Sequence, residues 1–309
     1  MKMSKGGVET MIGGLSNKTT RITTEKHLYL MSFFDVEDMW RSGTDAVKPT
    51  TDCNSSRKTC NPHWSGTDTW EDALALGEKG WFEGVEQIEN ILKKVQTAGQ
   101  AISGRARSRL RGVSGSRVDV PRALSGSPYC MTKRRKVRTK DGTHIKVAVN
   151  LSASAGISAE KIMRRGGAIC ALISRLELDG YAVELVAYEA CQKAGKLITF
   201  VPVKRPEDVL NIERVAMTLA HPSTLRRAMF AVQERLPQGV FNLTCGGSYG
   251  RPADLTDSEK EMLGITLNMT KIGTSGEGEP NWDSGTDEEV ALWVQAKWEL
   301  AIEGAQDGT

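Results

Sequence analysis

Strand-like and helix-like hydrophobic patterns alternate along the second half of the chain. Residues 144–150 and 181–188 are short runs rich in β-branched, aromatic and other apolar side chains, which are typical of buried strands. Between them, apolar residues recur at helical spacing over 158–179 and predict one long helix. A further strand is predicted over 197–203, where Pro202 indicates the edge of a sheet.

The alternation continues towards the C-terminus. Helices are predicted over 206–219, over 223–236 and from the capping sequence that begins at Thr286. A strand pair is predicted around 240–244 and 264–272. Strands that alternate with helices in this way predict an α/β fold, with a doubly wound, mostly parallel sheet and helices on both of its faces.

A pair of helices is predicted in the first third of the chain. Apolar residues at helical spacing follow Thr69 and Asp68, either of which can cap a helix, and Gly80 is placed to end that helix. A second helix is predicted by the apolar positions within 85–95. We therefore divide the chain into a flexible arm (1–26), a helical N-terminal module (27–98), a basic linker (99–116) and an α/β domain (117–305).

Composition excludes several classes of protein. Of the 309 residues, 39% are hydrophobic and 26% are charged, which predicts a globular chain with a buried core. No apolar stretch reaches the about 20 residues that cross a bilayer, and the first residues lack the apolar segment of a secretory signal. Six cysteines in a chain of this length do not make a disulfide scaffold, so we expect reduced thiols and a cytoplasmic protein.

The net charge of +3 conceals one strongly basic segment. Residues 105–140 carry twelve Lys or Arg side chains and one acid, Asp119, which makes +11 in this segment and −8 in the rest of the chain. Cations at this density bind phosphates without reading a base sequence, and flexible arginine-rich segments become ordered on nucleic acids. The alternative is a solvated linker between two domains. The candidate nucleic-acid-binding residues are Arg105, Arg107, Arg109, Arg111, Arg117, Lys133, Arg134, Arg135, Lys136 and Arg138.

Three polar side chains follow the first predicted strand of the α/β domain. Asn150, Ser152 and Ser154 offer oxygen atoms of the kind that Mg²⁺ prefers, and they are the candidate metal ligands. Because Asn150 is uncharged and Mg²⁺ normally takes an anionic ligand, we predict no bound cofactor. The alternative role for these side chains is to cap the following turn and helix.

The same loop carries a resemblance to a known family. Its Asn-x-Ser-x-Ser spacing, in Val147-Ala-Val-Asn-Leu-Ser-Ala-Ser154, resembles the Asp-x-Ser-x-Ser cation-binding loop of von Willebrand factor A domains. The helix that follows and the strand from Gly180 also fit the order of elements in that family. The resemblance implies a von Willebrand factor A-like α/β domain whose cation loop is degenerate.

Two further blocks resemble a family of poorly characterised tailed-phage proteins. The first opens with Ser65-Gly-Thr and closes with Gly80-Trp81. The second opens with Val118-Asp-Val-Pro-Arg-Ala-Leu and is followed by Leu219-Ala-His-Pro-Ser-Thr-Leu-Arg-Arg-Ala-Met-Phe. This resemblance implies a phage origin. Together with the density of positive charge in the basic segment, it leads us to expect an accessory protein that acts in transcription or replication in the host cytoplasm, with a phage polymerase or another protein as its partner.

Two pairs of adjacent arginines lie within predicted helices. Because neighbouring residues on a helix point about 100° apart, we expect one member each of Arg164–Arg165 and Arg226–Arg227 to face solvent. The other member is expected to pair with an acid such as Glu184 or Glu213. A contact with phosphate is the alternative.

No constellation of catalytic residues is evident. Gly246-Gly-Ser-Tyr-Gly250 matches the turn around a hydrolase nucleophile, but Arg251-Pro252 follows where a helix is required, and no His comes after His221. The sequence has no phosphate-binding Gly-x-x-x-x-Gly-Lys-Ser/Thr motif, and its four His residues are scattered. We therefore predict that the protein is not an enzyme.

Two functions of different classes are consistent with these features. The first is a non-enzymatic accessory protein that binds nucleic acid, with single-stranded DNA as the expected ligand, and supports phage transcription or replication. The alternative is a protein-interaction adaptor that acts through the loop 150–154 of its A-like domain, with the basic segment as a tether and no nucleic acid bound.

Overall fold

A computed structural model provides the fold. It describes residues 8–10, 22–25, 28–44, 56–57, 61–86, 88, 110–112, 117–118, 131–133, 144–208, 210–246, 249–273 and 279–307. Strands and helices alternate over the longest of these ranges, and the predicted α/β class, with parallel strands and helices on both faces of the sheet, is confirmed.

The strands are short except in the middle of the sheet. In chain order they are β1 (Val8–Thr10), β2 (Ile22–Glu25), β3 (Leu28–Ser32), β4 (Leu110–Gly112), β5 (Arg117–Val118), β6 (Met131–Lys133), β7 (His144–Asn150), β8 (Ala182–Gln192), β9 (Lys196–Lys204), β10 (Arg251–Pro252) and β11 (Leu267–Met269).

The helices differ widely in length, and one of them is a π-helix. In chain order they are α1 (Val36–Thr44), α2 (Pro62–Ser65), α3 (Trp70–Lys79), α4 (Ala159–Asp179), α5 (Ile212–Ala220), the π-helix Thr224–Met229, α6 (Phe230–Gln233), α7 (Gln238–Thr244), α8 (Asp257–Met262) and α9 (Asp287–Asp307). Residues 82–86 are also helical.

The main sheet has the order β1-β2-β3-β9-β8-β7-β11, with β10 paired to β8. The pairs β7–β8, β7–β11 and β3–β9 are parallel, whereas β8 and β9 form an antiparallel hairpin. From β7 the chain moves to β8 and β9 on one side and later returns as β11 on the other side. The gap between β7 and β11 is therefore a topological switch point. A separate three-stranded antiparallel sheet has the order β4-β6-β5.

Both faces of the main sheet are buried. In β7, Val147 and Val149 face the core that holds α4 and α5, whereas Ala148 faces the opposite side. That opposite side is covered by the chain around α8, which contributes Ala253 and Leu255. Burial on both faces explains why the central residues Val147, Ala148 and Val149 of β7 are all apolar rather than alternating.

Helix α4 shows how local sequence sets the ends of an element. The Ser158 hydroxyl accepts a hydrogen bond from the backbone N–H of Lys161, which caps the N-terminus. Gly180 ends the helix at φ 95°, in the left-handed region that favours glycine. The position of this helix therefore follows from its own residues, as predicted.

Several predicted elements are wrong. Residues 238–244 form helix α7 rather than a strand, and helix α5 begins after Asn211, which caps it, rather than at Pro206. Strand β9 lies between β3 and β8 and is not an edge strand, but its pairing with β3 ends at Phe200, so in the described chain Pro202 has a strand partner only on the β8 side. The register also shifts beside Pro202, since Val186 pairs with it while Leu185 pairs with Lys204.

The first predicted module contributes to the main sheet. Strand β3 pairs in parallel with β9, and helices α1 and α3 pack on the same core as α5 and the π-helix. Strand β4 forms within the segment predicted as a basic linker. Residues 28–44 and 61–79 are thus continuous with the α/β core.

Candidate functional site

The carboxyl end of β7 lies beside the switch point between β7 and β11, where open α/β sheets bind ligands. A cavity of about 10 Å³ opens here, lined among others by Leu151, Arg165 and Ile272. This volume accommodates about one water molecule. The candidate site is therefore a surface of loops rather than a deep pocket, and we call it the switch-point loops: residues 150–157 and 253–255 with 270–272.

Two of the predicted metal ligands are buried, and their polar atoms are already hydrogen-bonded within the protein. Asn150 Oδ1 accepts a hydrogen bond from the backbone of Ser152 at 2.9 Å, and Asn150 Nδ2 donates to the Ala253 carbonyl at 2.8 Å. The Ser152 hydroxyl donates to the carbonyl of Ala190 at 3.0 Å and accepts from the N–H of the same residue at 2.8 Å. Both side chains are buried, and their polar atoms tie the loop to β8 and to the second loop.

A carboxylate from a distant part of the chain completes this arrangement. Asp254 Oδ1 accepts from Asn150 Nδ2 at 2.9 Å and from the backbone N–H of Lys271 at 2.6 Å. Asp254 Oδ2 lies 2.5 Å from Lys271 Nζ. Burial alone would raise the pKa of Asp254, but the hydrogen bonds from Lys271 and Asn150 outweigh it and lower that pKa. The cation that faces this carboxylate is thus an ammonium group supplied by the protein itself.

The third predicted ligand lies apart from the other two. Ser154 is exposed, and its carbonyl accepts from the N–H of Ile157 at 3.1 Å. The structure therefore brings Asn150, Ser152 and Asp254 together and leaves Ser154 at the surface. Within the described part of the chain, no three His, Cys, Asp or Glu side chains come together as a metal ion would require.

A buried arginine connects the ends of the two strands at the switch point. The Arg165 guanidinium donates to the Asn150 carbonyl at 3.2 Å and to the carbonyl of Thr270. Burial lowers the pKa of Arg165, and the negative charges of Glu279 and Asp254 partly oppose this shift. The two hydrogen bonds of Arg165 fix the spacing between β7 and the residues after β11.

The π-helix carries two further arginines. The sequence predicts that one of them faces solvent and that the other pairs with an acidic side chain. Both Arg226 and Arg227 are buried, and that prediction is wrong. Arg226 donates to the carbonyls of Trp64 and, at 2.5 Å, of Ile157, and its guanidinium lies 4.5 Å from the Trp64 ring centroid. Burial lowers the pKa of Arg226 to about 10.

Arg227 points into the segment before α3. It donates to the carbonyls of Ser56, Thr67 and Asp68 at 2.8, 3.0 and 2.9 Å. The acid proposed as a partner for such an arginine, Glu184, instead forms ion pairs with His144 and Lys146. Arginine in this protein therefore satisfies buried backbone carbonyls and joins the N-terminal segment to the α/β core.

Most of the chain matches one known protein family. A family model described as a domain of unknown function, DUF7192, matches residues 16–286. The chain belongs to the DUF7192 family. Searches of curated proteins and of solved structures found no match to the chain. The switch-point loops and the buried arginines all lie within the span of the DUF7192 match.

The basic segment of this DUF7192 protein is described only in part. Seven of its candidate residues lie outside the described part of the chain: Arg105, Arg107, Arg109, Arg134, Arg135, Lys136 and Arg138. Arg111 and Arg117 belong to β4 and β5, and both stand in register with Thr132 of the central strand β6. Lys133 stands in register with Leu110. Three of the predicted cations thus occupy neighbouring positions of one small sheet.

A second part of the site could not be found from local sequence. Asp254 and Lys271 lie in separate loops, and nothing in their immediate neighbours marks them as partners of Asn150. The one available signal is the switch-point rule, which directs attention to every loop at the carboxyl ends of the central strands.

Among the residues described, no helix combines the length and apolar character needed to span a bilayer.

Proposed function

We propose that this DUF7192 protein is a non-enzymatic, phage-encoded accessory protein that binds nucleic acid, with single-stranded DNA as its ligand, through residues 105–140. The observation that carries the proposal is the charge distribution: +11 within this segment and −8 in the rest of the chain. An acidic remainder repels phosphates, so the nucleic acid is directed to the basic segment. The α/β domain then presents a second surface to a protein partner such as a phage polymerase.

The size of the electrostatic effect follows from counterion release. Each phosphate contact on a single strand contributes about −0.7 to the slope of log K against log salt concentration. Contacts by all of the candidate cations would give a slope near −7. The register places Arg111 and Arg117 opposite the same residue, Thr132, and therefore on one face of the small sheet, which supports a shared basic face rather than a plain tether.

Fluorescence anisotropy with labelled single-stranded and duplex DNA across a salt series tests the proposal. Replacing Arg105, Arg107, Arg109 and Arg111 with Ala removes four contacts and is expected to make the slope shallower by about 3. A matched control replaces four exposed cations outside the segment, Arg41, Lys79, Arg205 and Arg251, and is expected to leave the slope unchanged. No binding by the unaltered protein at low salt, or equal slopes for the two variants, would refute it.

A second candidate function is a protein-interaction adaptor with a von Willebrand factor A-like domain. It is supported by the order β7, loop, α4 and β8, and by the exposed residues Ser154, Ala155 and Gly156 at the carboxyl end of β7. Because Asn150 and Ser152 are buried, changing them would disturb the fold as well as the surface. The sharper variant is Ser154→Gln with Gly156→Gln, which adds bulk without charge where the chain is exposed.

The adaptor function predicts that this double variant loses capture of a purified phage polymerase while its affinity for DNA is unchanged. The nucleic-acid function predicts instead that DNA affinity falls when the basic residues within 105–140 are replaced. The same two assays, applied to both sets of variants, therefore separate the two candidates.

A further inference from the structure

Two buried cysteines meet where strand β8 ends beside helix α7. Cys191 lies near the end of β8, and Cys245 directly follows α7. Their sulfur atoms are 3.7 Å apart although the residues are 54 positions apart in the sequence. Only 2% of Cys191 and 1% of Cys245 is exposed. A disulfide has a sulfur–sulfur distance of about 2.05 Å, so a small rotation of the two side chains is needed to form the bond.

The backbone around the pair is shaped to allow this approach. A Cβ atom added to Gly250, which has φ +76°, would lie 2.8 Å from the Cβ atom of Cys191. Gly250 also donates its N–H to the carbonyl of Cys245 at 3.1 Å. The turn after Cys245 can therefore close over Cys191 only because residue 250 has no side chain.

Two buried polar side chains, each with one oxygen atom that lacks a hydrogen-bond partner within the described chain, lie beside the sulfur atoms. Glu189 lies two residues before Cys191 on β8 and so projects from the same face of the strand. It is 3% exposed, and within the described chain its Oε2 atom has no hydrogen-bond partner. Gln233 places its Nε2 atom 3.6 Å from Cys191 Sγ, and its Oε1 atom likewise lacks a partner there. A buried carboxyl group without full hydrogen bonding is costly for folding, which indicates a role beyond stability.

The protonation states of this cluster differ from those of exposed groups. The hydrogen bond between the two thiols raises the pKa of Cys191, which burial raises further, and lowers the pKa of Cys245. Cys245 is therefore the better nucleophile of the two thiols. Burial, together with the nearby Cys245, raises the pKa of Glu189 well above its usual range, which favours the protonated form of this carboxyl group.

We propose that Cys191 and Cys245 form a redox-active dithiol, which a peroxide converts to a disulfide between β8 and the end of α7, with Glu189 carrying protons beside it. This inference is independent of nucleic-acid binding. The peroxide must be small, since neither sulfur atom is exposed to a bulky reagent.

The reaction balances with one peroxide and two thiols. The Cys245 sulfur attacks one peroxide oxygen, the O–O bond breaks, and the thiol proton leaves with the other oxygen as water, which produces a sulfenic acid. The Cys191 sulfur then attacks the Cys245 sulfur, the S–O bond breaks, and the Cys191 proton leaves with the hydroxyl group as a second water. The two thiols are oxidised to one disulfide, and the hydrogen peroxide is reduced to two water molecules.

Peptide mapping of the full chain after brief treatment with hydrogen peroxide tests this inference. Trypsin cuts after Lys and Arg but not before Pro, so Cys191 and Cys245 fall in separate peptides, 176–193 and 236–260. A buried cysteine that has no described partner, Cys170, falls in a third peptide, 166–175, and serves as an internal control. Burial raises the pKa of Cys170 to about 12, so it resists oxidation.

The expected result, after free thiols are alkylated in denaturant, is that peptides 176–193 and 236–260 are joined in most molecules and that the Cys170 peptide is alkylated. Alkylation of Cys191 and Cys245 to the same extent as Cys170, or their linkage to other cysteines, would overturn the proposal. The Glu189→Gln variant is expected to form the bond more slowly and with a weaker dependence on pH. A rate and pH profile equal to those of the unaltered protein would remove Glu189 from the mechanism.

Discussion

Replacing Arg227 with Met tests whether the buried arginines join the N-terminal segment to the core. The substitution removes the hydrogen bonds to Ser56, Thr67 and Asp68 while it keeps much of the apolar volume. A hydrogen bond from a charged donor contributes about 1.5 kcal/mol or more, and three carbonyls, those of Ser56 and Thr67 in buried hydrogen bonds and that of Asp68 in a partly buried one, would be left without that donor. Part of this loss is offset because the guanidinium no longer has to be desolvated. We expect the free energy of unfolding to fall by about 4 kcal/mol.

Urea unfolding followed by tryptophan fluorescence measures this change, since Trp64 and Trp70 belong to the segment that Arg227 contacts. The matched control is Arg214→Met, because the side chain of Arg214 is 39% exposed and forms a surface ion pair with Glu37. Such a pair contributes less than about 1 kcal/mol. Losses below about 1 kcal/mol for both variants would refute the reasoning, because they would mean that water satisfies the three carbonyls equally well.

Three further predictions concern a buried base, a close helix contact and a helix cap. Burial lowers the pKa of His221 to about 4, so between pH 6.5 and 4 the unfolded chain binds a proton that the folded protein does not. The free energy of unfolding should therefore fall by about 2 kcal/mol from pH 7 to pH 5 in urea titrations, and the His221→Gln variant should lack this part of the fall. If the two proteins have the same pH dependence, His221 titrates normally in the folded protein and the prediction is wrong. A Cβ atom at Gly166 would lie 2.3 Å from Ala220 Cα, so Gly166→Ala should lower the thermal midpoint of unfolding. The control variant Gly156→Ala should not lower it, because there is open space around Gly156. Equal midpoints for the two variants would contradict this close packing. The Thr69 hydroxyl accepts from the N–H of Asp72 at 3.1 Å, and Thr69→Ala should cost about 1 kcal/mol in urea unfolding while Thr69→Asn costs little, so equal losses would exclude the cap.

Elements whose ends are set by their own residues were predictable from the sequence. Helix α3 begins after Thr69 and ends at Gly80, and α4 ends at Gly180, as the cap and stop signals indicate. Strand β7 was predicted because a short run rich in β-branched and apolar residues, with Val147, Ala148 and Val149 in succession, suits a strand that is buried on both faces. In these cases the local pattern and the tertiary environment favour the same structure.

Other elements depend on neighbours that the sequence does not reveal. The apolar residues Val240 and Phe241 suit a strand or a short buried helix equally well, and packing against the core selects the helix α7. Pro202 indicates an edge strand, but it lies in the central strand β9 beyond the end of the pairing with β3, where an N–H group is not needed on that side. The burial of both Arg226 and Arg227 likewise depends on distant residues. The π-helix has the core on one side and residues 56, 57 and 61–68 on the other, so neither arginine faces solvent.

The candidate site was predictable only to the extent that it lies on one loop. The sequence identifies Asn150 and Ser152 as candidate ligands, and in the structure the Asn150 side chain accepts a hydrogen bond from the backbone N–H of Ser152. Their partner Asp254 is 104 positions away, and the pairing depends on the crossover that brings β11 beside β7. Long-range topology, rather than residue type, decides that Lys271 provides the positive charge at this place.

The π-helix Thr224–Met229 has a consequence for how the length of this chain can vary. A π-helical turn amounts to an α-helix with one inserted residue, and residues along an α-helix are separated by about 100° of rotation. Deleting a single residue here would let the turn relax to α-helical geometry and rotate everything on one side of the deletion by that angle. Arg226 and Arg227 could then not both reach their carbonyls, whichever residues replaced their neighbours. Insertions and deletions should therefore be rarer between His221 and Leu236 than point substitutions are, and homologues that have lost one residue here should also have lost both arginines.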